Sequence, residues 1–226
     1  MTAVKLVHFS DLLCIWGYVG EANMFQLTES FGDKVHPEIH FCSVFPDPQT
    51  KLTKAWANRG GFQGYADHVQ EVAAKFDGIS VHPDTWARVQ PRSSASPQLL
   101  IKAIQLLEAD SPAPRFADRA SVRAAHALRV AFFTRAQDIS NWAVQRAVCD
   151  SIGVDFDAAL KHVETGDAIA SLAADYELAQ ALGVQGSPTY ILNEGRQKLF
   201  GNITYKILAA NVTELLTDDP DENASA

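Results

Sequence analysis

The order of hydrophobic patterns along the chain is the feature that most restricts its fold. An apolar strand at Val4–Phe9 leads into a helix from Cys14 to about Phe31, and Gly32-Asp33 ends that helix. A second strand follows at His36–Phe45, before a proline-rich stop. A strand, a helix and a strand at this spacing predict a βαβ unit, whose two strands are parallel.

Near its C-terminal end the chain returns to strand patterns. Thr189–Asn193 is a predicted strand preceded by Pro188, and Lys198–Phe200 is the return strand after a turn at Glu194-Gly195. A helix with an apolar stripe follows at Ile203–Leu216. This part therefore predicts a β-β-α unit.

Between these two units the apolar spacing is helical almost throughout. Asp118, Asp155 and Asp167 are residues of the type that caps a helix N-terminus, and Pro112 and Pro114 mark a loop. The predicted helices are Tyr65–Phe76, Pro97–Ala109, Asp118–Thr134, Asn141–Ile152, Asp155–Val163 and Asp167–Leu182.

The element order predicts an α/β protein whose sheet is interrupted by helices. We expect residues 1–50 and 184–217 to form the domain that holds the sheet, and residues 51–183 to form an all-helical insertion. Residues 218–226 are acidic and lack large apolar groups, so they are predicted to be a disordered tail.

Charge and hydropathy argue against several classes of partner. The net charge is −8 and the basic residues are scattered, whereas nucleic-acid binding calls for a basic stripe. No apolar run approaches the roughly 20 residues that span a bilayer. The first residues lack the apolar core of a secretory signal. We therefore predict a cytoplasmic protein without a nucleic-acid or membrane partner.

Three cysteines, Cys14, Cys42 and Cys149, lie far apart and form no C-x-x-C pair. This spacing favours neither a disulfide framework nor a metal site. Cys14 follows a strand and opens a helix, where unpaired N–H groups and the helix dipole lower a thiol pKa. The alternative is a buried, inert cysteine.

Pro188 lies in a loop, Gly183–Thr189, that joins a helix to a strand. A proline at the start of a strand has ordinary structural uses. The functional alternative is a cis-proline loop that presents the Ser187 backbone beside the helix start holding Cys14. An extended substrate could then pair with that backbone.

Three segments carry a resemblance to a known family. Ser10–Gly20 resembles the active-site segment of DsbA-like proteins, and of their FrnE-like branch in particular. Arg129–Ser140 is similar to the family's A-x-F-x-x-x-x-D-I-S segment, and Gly183–Thr189 to its G-V-x-G-x-P-T loop. The resemblance implies a thioredoxin-like fold with an inserted all-helical subdomain. It extends to 2-hydroxychromene-2-carboxylate isomerases and kappa-class glutathione transferases.

The chain departs from the family's dithiol motif. Gly17 stands where the second cysteine belongs, and Ile15 replaces the motif's proline. Dithiol enzymes resolve a mixed disulfide with their own second thiol, so the resemblance here implies a monothiol oxidoreductase with Cys14 as its catalytic residue. Trp16, Gly17, Ser187 and Pro188 are the predicted substrate-binding residues.

The expected partner is a thiol or disulfide substrate, either glutathione or a peptide. No bound cofactor or metal is expected, and glutathione is the candidate co-substrate. Two other functions stay open: a glutathione-dependent transferase or isomerase, with Ser10 near the helix start, and a non-enzymatic peptide-binding descendant. Cys42, on the second predicted strand, and Cys149 fit small buried core residues. A homodimer is compatible with the sequence.

Overall fold

A four-stranded sheet forms the centre of the protein. The computed structural model describes residues 3–109 and 115–217, so Pro112, Pro114 and the predicted tail lie outside the described residues. The strands are β1 (Val4–Ser10), β2 (Val35–Phe41), β3 (Thr189–Leu192) and β4 (Gln197–Phe200). Their order is β2-β1-β3-β4, with β2 parallel to β1 and the other two pairs antiparallel.

The register of the sheet brings distant segments together. In the parallel pair Ser10 lies opposite Phe41, and in the neighbouring antiparallel pair Phe9 lies opposite Thr189. The C-terminal end of β1 therefore meets the N-terminal end of β3. Pro37 is accommodated because β2 is an edge strand.

Helices surround this sheet. The described α-helices are α1 (Ile15–Phe31), α2 (Pro48–Ala55), α3 (Gly61–Ala73), α4 (Ala95–Glu108), α5 (Ala120–Arg129), α6 (Trp142–Ile152), α7 (Phe156–Glu164), α8 (Asp167–Ala181) and α9 (Tyr205–Thr217). A π-helical turn at Val130–Thr134 continues α5. Within the described ranges, none of the helices combines the length and apolarity needed to cross a membrane.

The predicted α/β architecture is confirmed, with helices between β2 and β3 as expected. The main hydrophobic core contains buried residues from both parts, for example Leu6 of β1, Leu27 of α1 and Leu128 of α5. A second, smaller cluster contains Phe9, Cys42, Ala179 and Ile191. The division into a sheet domain and an insertion stays a prediction.

The predicted end of the second strand is wrong. β2 ends at Phe41, and Cys42 lies just beyond it rather than on the strand. The backbone N–H groups of Val44 and Phe45 both donate to the buried carboxylate of Asp11, each at 3.1 Å. These bonds turn the chain away from the sheet, so the apolar run Val44-Phe45 does not extend the strand.

Two predicted helix caps are also wrong, and one is confirmed. Asp155 caps α7 by accepting the Ala158 N–H. Asp118 instead lies in a short 3₁₀ turn before α5, whose N-cap is Arg119. Asp167 is the first residue of α8 and follows Gly166, which takes the cap position with φ of 89°.

Candidate functional site

Cys14 is the N-cap residue of α1. Its backbone is extended, with φ of −87° and ψ of 120°, and its carbonyl accepts the Tyr18 N–H at 3.1 Å. The Cys14 N–H donates to the Asp11 carbonyl, which forms a tight turn between β1 and the helix. The first helical turn therefore begins directly at the thiol, as the sequence predicted.

The loop before β3 lies directly against this thiol. The Ser187–Pro188 peptide bond is cis, and the Cys14 thiol donates to the Ser187 carbonyl with a sulfur–oxygen distance of 3.4 Å. The Ser187 hydroxyl accepts the Asp11 N–H at 3.0 Å. On the far side, the Gly201 N–H donates to the Pro188 carbonyl at 2.9 Å. The loop is therefore attached to the turn after β1 and to the end of β4.

The resting thiol is not primed in the way the sequence suggested. Cys14 is only 6% exposed, and burial raises its pKa above the ordinary value. Hydrogen bonding from the Ser187 side chain and from the Gly17 and Trp16 backbone N–H groups lowers the pKa of Cys14, while the charge on Asp11 raises it. The expectation of a lowered pKa is wrong because desolvation outweighs the helix start.

The other predicted site residues gather around Cys14. Gly17 is buried in the first turn of α1, and Pro188 is buried in the loop opposite. Ser187 is partly exposed beside the sulfur. Trp16 is partly exposed and packs edge-on against Phe76, with 6.1 Å between ring centroids. The Trp16 ring therefore packs against Phe76, which lies just beyond the end of α3, and keeps part of its surface exposed.

The buried carboxylate of Asp11 binds the chain segments that surround Cys14. It accepts the Leu13 N–H through one oxygen, and Val44 N–H, Phe45 N–H and the Ser94 hydroxyl through the other. These donors come from the start of α1, the segment after β2 and the start of α4. Burial raises the pKa of Asp11. One carboxylate therefore fixes three chain segments around the thiol.

The sequence did not indicate a buried polar line, the chain of contacts that runs from Glu21 through Arg129 and Ser10 to Ser187. Arg129, at the end of α5, donates to Glu21 at 2.6 Å and to the Ser10 hydroxyl at 2.9 Å. The Ser10 hydroxyl lies 3.3 Å from the Ser187 hydroxyl. The available signal was an arginine within the apolar run that starts at Leu128, since a charge in such a run needs a buried partner.

Of the two remaining cysteines, Cys42 is the nearer to Cys14: burial raises its pKa, and the charges of Asp11 and Cys14 raise it further, whereas Cys149 is influenced by Asp150 and Arg146 instead. Cys42 packs in the smaller cluster with Phe9 and Ile191, whereas Cys14 belongs to the main core. Cys149 is fully buried in α6, and burial raises its pKa to about 11. All three thiols are free. Their placement agrees with a core role for Cys42 and Cys149.

The fold and the site together define a class. A β2-β1-β3-β4 sheet, a cysteine at the start of the first helix and a proline loop against its sulfur make a thioredoxin-like fold. Residues 5–213 match the DSBA-like thioredoxin domain, and the chain belongs to this family. No curated protein matches the sequence significantly.

Solved structures share this fold at low identity. One is described as a candidate protein disulfide isomerase from Nitrosomonas europaea, with a TM-score of 0.76, 12% identity and coverage of 95% of this chain and 98% of that one. The cytosolic disulfide reductase DsbM from Pseudomonas aeruginosa has a TM-score of 0.67, 20% identity and coverage of 94% and 96%.

A 2-hydroxychromene-2-carboxylate isomerase is also similar, with a TM-score of 0.59, 16% identity and coverage of 98% of this chain and 100% of that one. At these identities the likeness concerns the fold. The predicted resemblance to DsbA-like proteins and to these isomerases is thereby confirmed.

Proposed function

We propose that this protein is a monothiol thiol-disulfide oxidoreductase, with Cys14 as its nucleophile and glutathione as the thiol that completes turnover. The observation that carries the proposal is the pairing of the Cys14 sulfur with the Ser187 carbonyl at 3.4 Å, while Gly17 offers no second thiol. Family membership supports the oxidoreductase class.

One protein thiol and two molecules of glutathione are enough to complete a cycle of thiol-disulfide exchange. The Cys14 thiolate attacks one sulfur of a substrate disulfide, so that a mixed disulfide forms and the other substrate sulfur leaves as a thiolate, which takes a proton. When the retained group is a glutathionyl group, a second glutathione thiolate attacks its sulfur. Glutathione disulfide forms, and Cys14 is released as a thiolate.

The loop supplies the substrate contact in this scheme. In the resting state the Ser187 carbonyl accepts a hydrogen bond from the Cys14 thiol. Once Cys14 has reacted, that carbonyl is free to accept an N–H from an extended substrate, as in strand addition. Trp16, partly exposed in the first turn of α1, would contact the substrate's side chain, and Pro188 would shape the loop.

Glutathione suits this site for two reasons. It is a short, extended thiol peptide with amide groups that can pair with the Ser187 backbone, and the DsbM structure was also solved with GSH, at a TM-score of 0.64 and 18% identity. A reducing compartment such as the cytoplasm keeps it available. We propose that this chain is a cytoplasmic, FrnE-like member of the family.

The proposal is tested by trapping the mixed disulfide. Wild-type protein incubated with oxidised glutathione should gain one glutathionyl group, and peptide mapping by mass spectrometry should place it on Cys14. Cys14→Ser should gain none, whereas the Cys42→Ser/Cys149→Ser double variant should behave as wild type. Adducts on Cys42 or Cys149 in place of Cys14 would contradict the proposal.

A second candidate function is a glutathione-dependent transferase or isomerase. One observation favours it: the Ser10 hydroxyl lies inside the site, fully buried and 3.3 Å from the Ser187 hydroxyl. Calorimetry separates the two candidates. Retained glutathione binding and retained turnover in Cys14→Ser, with loss of both in Ser10→Ala, would favour the transferase or isomerase.

A further inference from the structure

We infer that Ser10, held in place by Arg129, is the specificity-determining residue that closes position 17 to any side chain and so restricts this site to one thiol. The inference deepens the proposed function and rests on it for its biological meaning.

The space beside Gly17 is already occupied. A Cβ atom added at Gly17 would lie 2.5 Å from the Ser10 hydroxyl oxygen, 3.1 Å from that of Ser187 and 3.2 Å from the Asp11 carbonyl oxygen. The first distance is too short for any real contact, whereas the other two need shifts of only tenths of an ångström. Ser10 is therefore the principal obstacle to a side chain here.

The Ser10 hydroxyl is not free to turn away. Ser10 is fully buried, and its oxygen accepts an N–H from Arg129 at 2.9 Å while contacting the Ser187 hydroxyl. Arg129 is itself buried and paired with Glu21. Rotating the hydroxyl out of the way would leave a buried guanidinium N–H without its acceptor, which is unfavourable.

Arg129 acts through Ser10, and we regard it as a positioning residue. The line from Glu21 through Arg129 and Ser10 reaches the loop that holds the Cys14 thiol. A thiol introduced at position 17 must displace part of this line before it can bond to Cys14. The fold thus opposes a disulfide between positions 14 and 17, and a mixed disulfide on Cys14 is resolved by an external thiol.

The first test measures disulfide formation in a Cys42→Ser/Cys149→Ser background. Gly17→Cys and Ser10→Ala/Gly17→Cys are equilibrated with mixtures of reduced and oxidised glutathione, and free thiols and glutathionyl adducts are counted by mass spectrometry. Removing the Ser10 hydroxyl should raise the equilibrium constant for the internal disulfide by about 10-fold, a typical coupling between residues in contact. Equal constants in the two variants would overturn the inference.

The second test needs no thiol chemistry. Gly17→Ala adds only the Cβ atom, so thermal unfolding of wild type, Ser10→Ala, Gly17→Ala and the double variant forms a closed cycle. The melting temperature should fall more when Gly17→Ala is made in wild type than when it is made in Ser10→Ala. Gly17→Ala that fails to fold while the double variant folds would also support the inference, and additive effects would overturn it.

These readouts stand apart from the test of the proposed function. Neither depends on turnover or on glutathione binding by the wild-type protein. A wild type that forms no mixed disulfide on Cys14 would therefore refute the monothiol oxidoreductase and leave the Ser10 cycle intact. Additive effects in the cycle would refute the role of Ser10 and leave the adduct on Cys14 intact.

Discussion

At the residue scale, opposing effects act on the proton of Cys14. Burial and the charge on Asp11 favour the neutral thiol, whereas hydrogen bonding from the Ser187 side chain and from the Gly17 and Trp16 N–H groups favours the thiolate, and the balance raises the pKa of Cys14. The position of Cys14 after a strand was readable from the sequence. The desolvation was not, because it comes from the loop at Ser187 and from packing that joins distant segments.

The raised pKa gives a prediction for alkylation of Cys14. The thiolate is the reactive form, so the iodoacetamide rate in the Cys42→Ser/Cys149→Ser variant should keep rising with pH beyond the ordinary cysteine value of about 8.5. A rate that reaches its plateau below pH 7 would show a primed thiolate and contradict this account. An unstructured cysteine peptide is the control.

Asp11 gives a second prediction at this scale. Asp11→Ala removes the acceptor of three backbone N–H groups and of the Ser94 hydroxyl. Since the Leu13 and Phe45 N–H groups lose their acceptor, the free energy of unfolding in urea should fall by about 3 kcal/mol or more. Ser94→Ala, which removes one of the four bonds, should cost about 1 kcal/mol. Equal, small losses in both variants would contradict an anchoring role for Asp11.

At the element scale, the sequence predicted the helices and strands well where their signals are local. Asn141 and Asp155 cap helices through their own side chains, and Gly32 ends α1. The end of β2 was missed because the Asp11 carboxylate, more than 30 residues away, binds Val44 and Phe45. Arg129 and Glu21 were missed because α5 and α1 meet only in the folded protein.

A buried ionic cluster attaches the helices to the edge of the sheet. Asp175 of α8 accepts from His40 of β2 at 2.7 Å and from Lys102 of α4 at 3.0 Å. Its second oxygen accepts the Phe41 N–H at 3.0 Å. Removing one partner of such a pair leaves a buried charge uncompensated. The cluster therefore holds α4 and α8 against β2.

This cluster predicts a pH dependence of stability. Burial opposes the charge on His40, but bonds and charge attraction from Asp175, with help from Glu38, outweigh it and raise the pKa of His40. The stability that His40 contributes is therefore present in full below its unfolded pKa of about 6.5 and is lost as the pH rises through the folded value.

Urea unfolding at several pH values checks this. The difference in unfolding free energy between wild type and His40→Gln should shrink as the pH rises from 6 to 9. Glu38→Gln, which removes an exposed partner, should keep most of the wild-type profile. A difference that stays constant over this range would contradict a protonated His40 in the folded protein.

At the scale of the whole molecule, the site joins segments that are remote in sequence. Cys14 and Ser187 lie 173 positions apart, yet their sulfur and oxygen are in contact. The sequence predicted this meeting from the resemblance of its segments to a family, and the register of β1 with β3 supplies its physical reason. The polar line through Arg129 required the folded chain.

A single thiol, that of Cys14, is proposed to be sufficient for turnover. The most direct test is glutathione-dependent reduction of a disulfide substrate, in which the rate of turnover is measured as the rate at which glutathione disulfide forms. The Cys42→Ser/Cys149→Ser variant, which retains only Cys14, should keep wild-type turnover within about twofold, a change worth roughly 0.4 kcal/mol, and Cys14→Ser should have none. Turnover that survives in Cys14→Ser, or that disappears when Cys42 and Cys149 are replaced, would contradict the account.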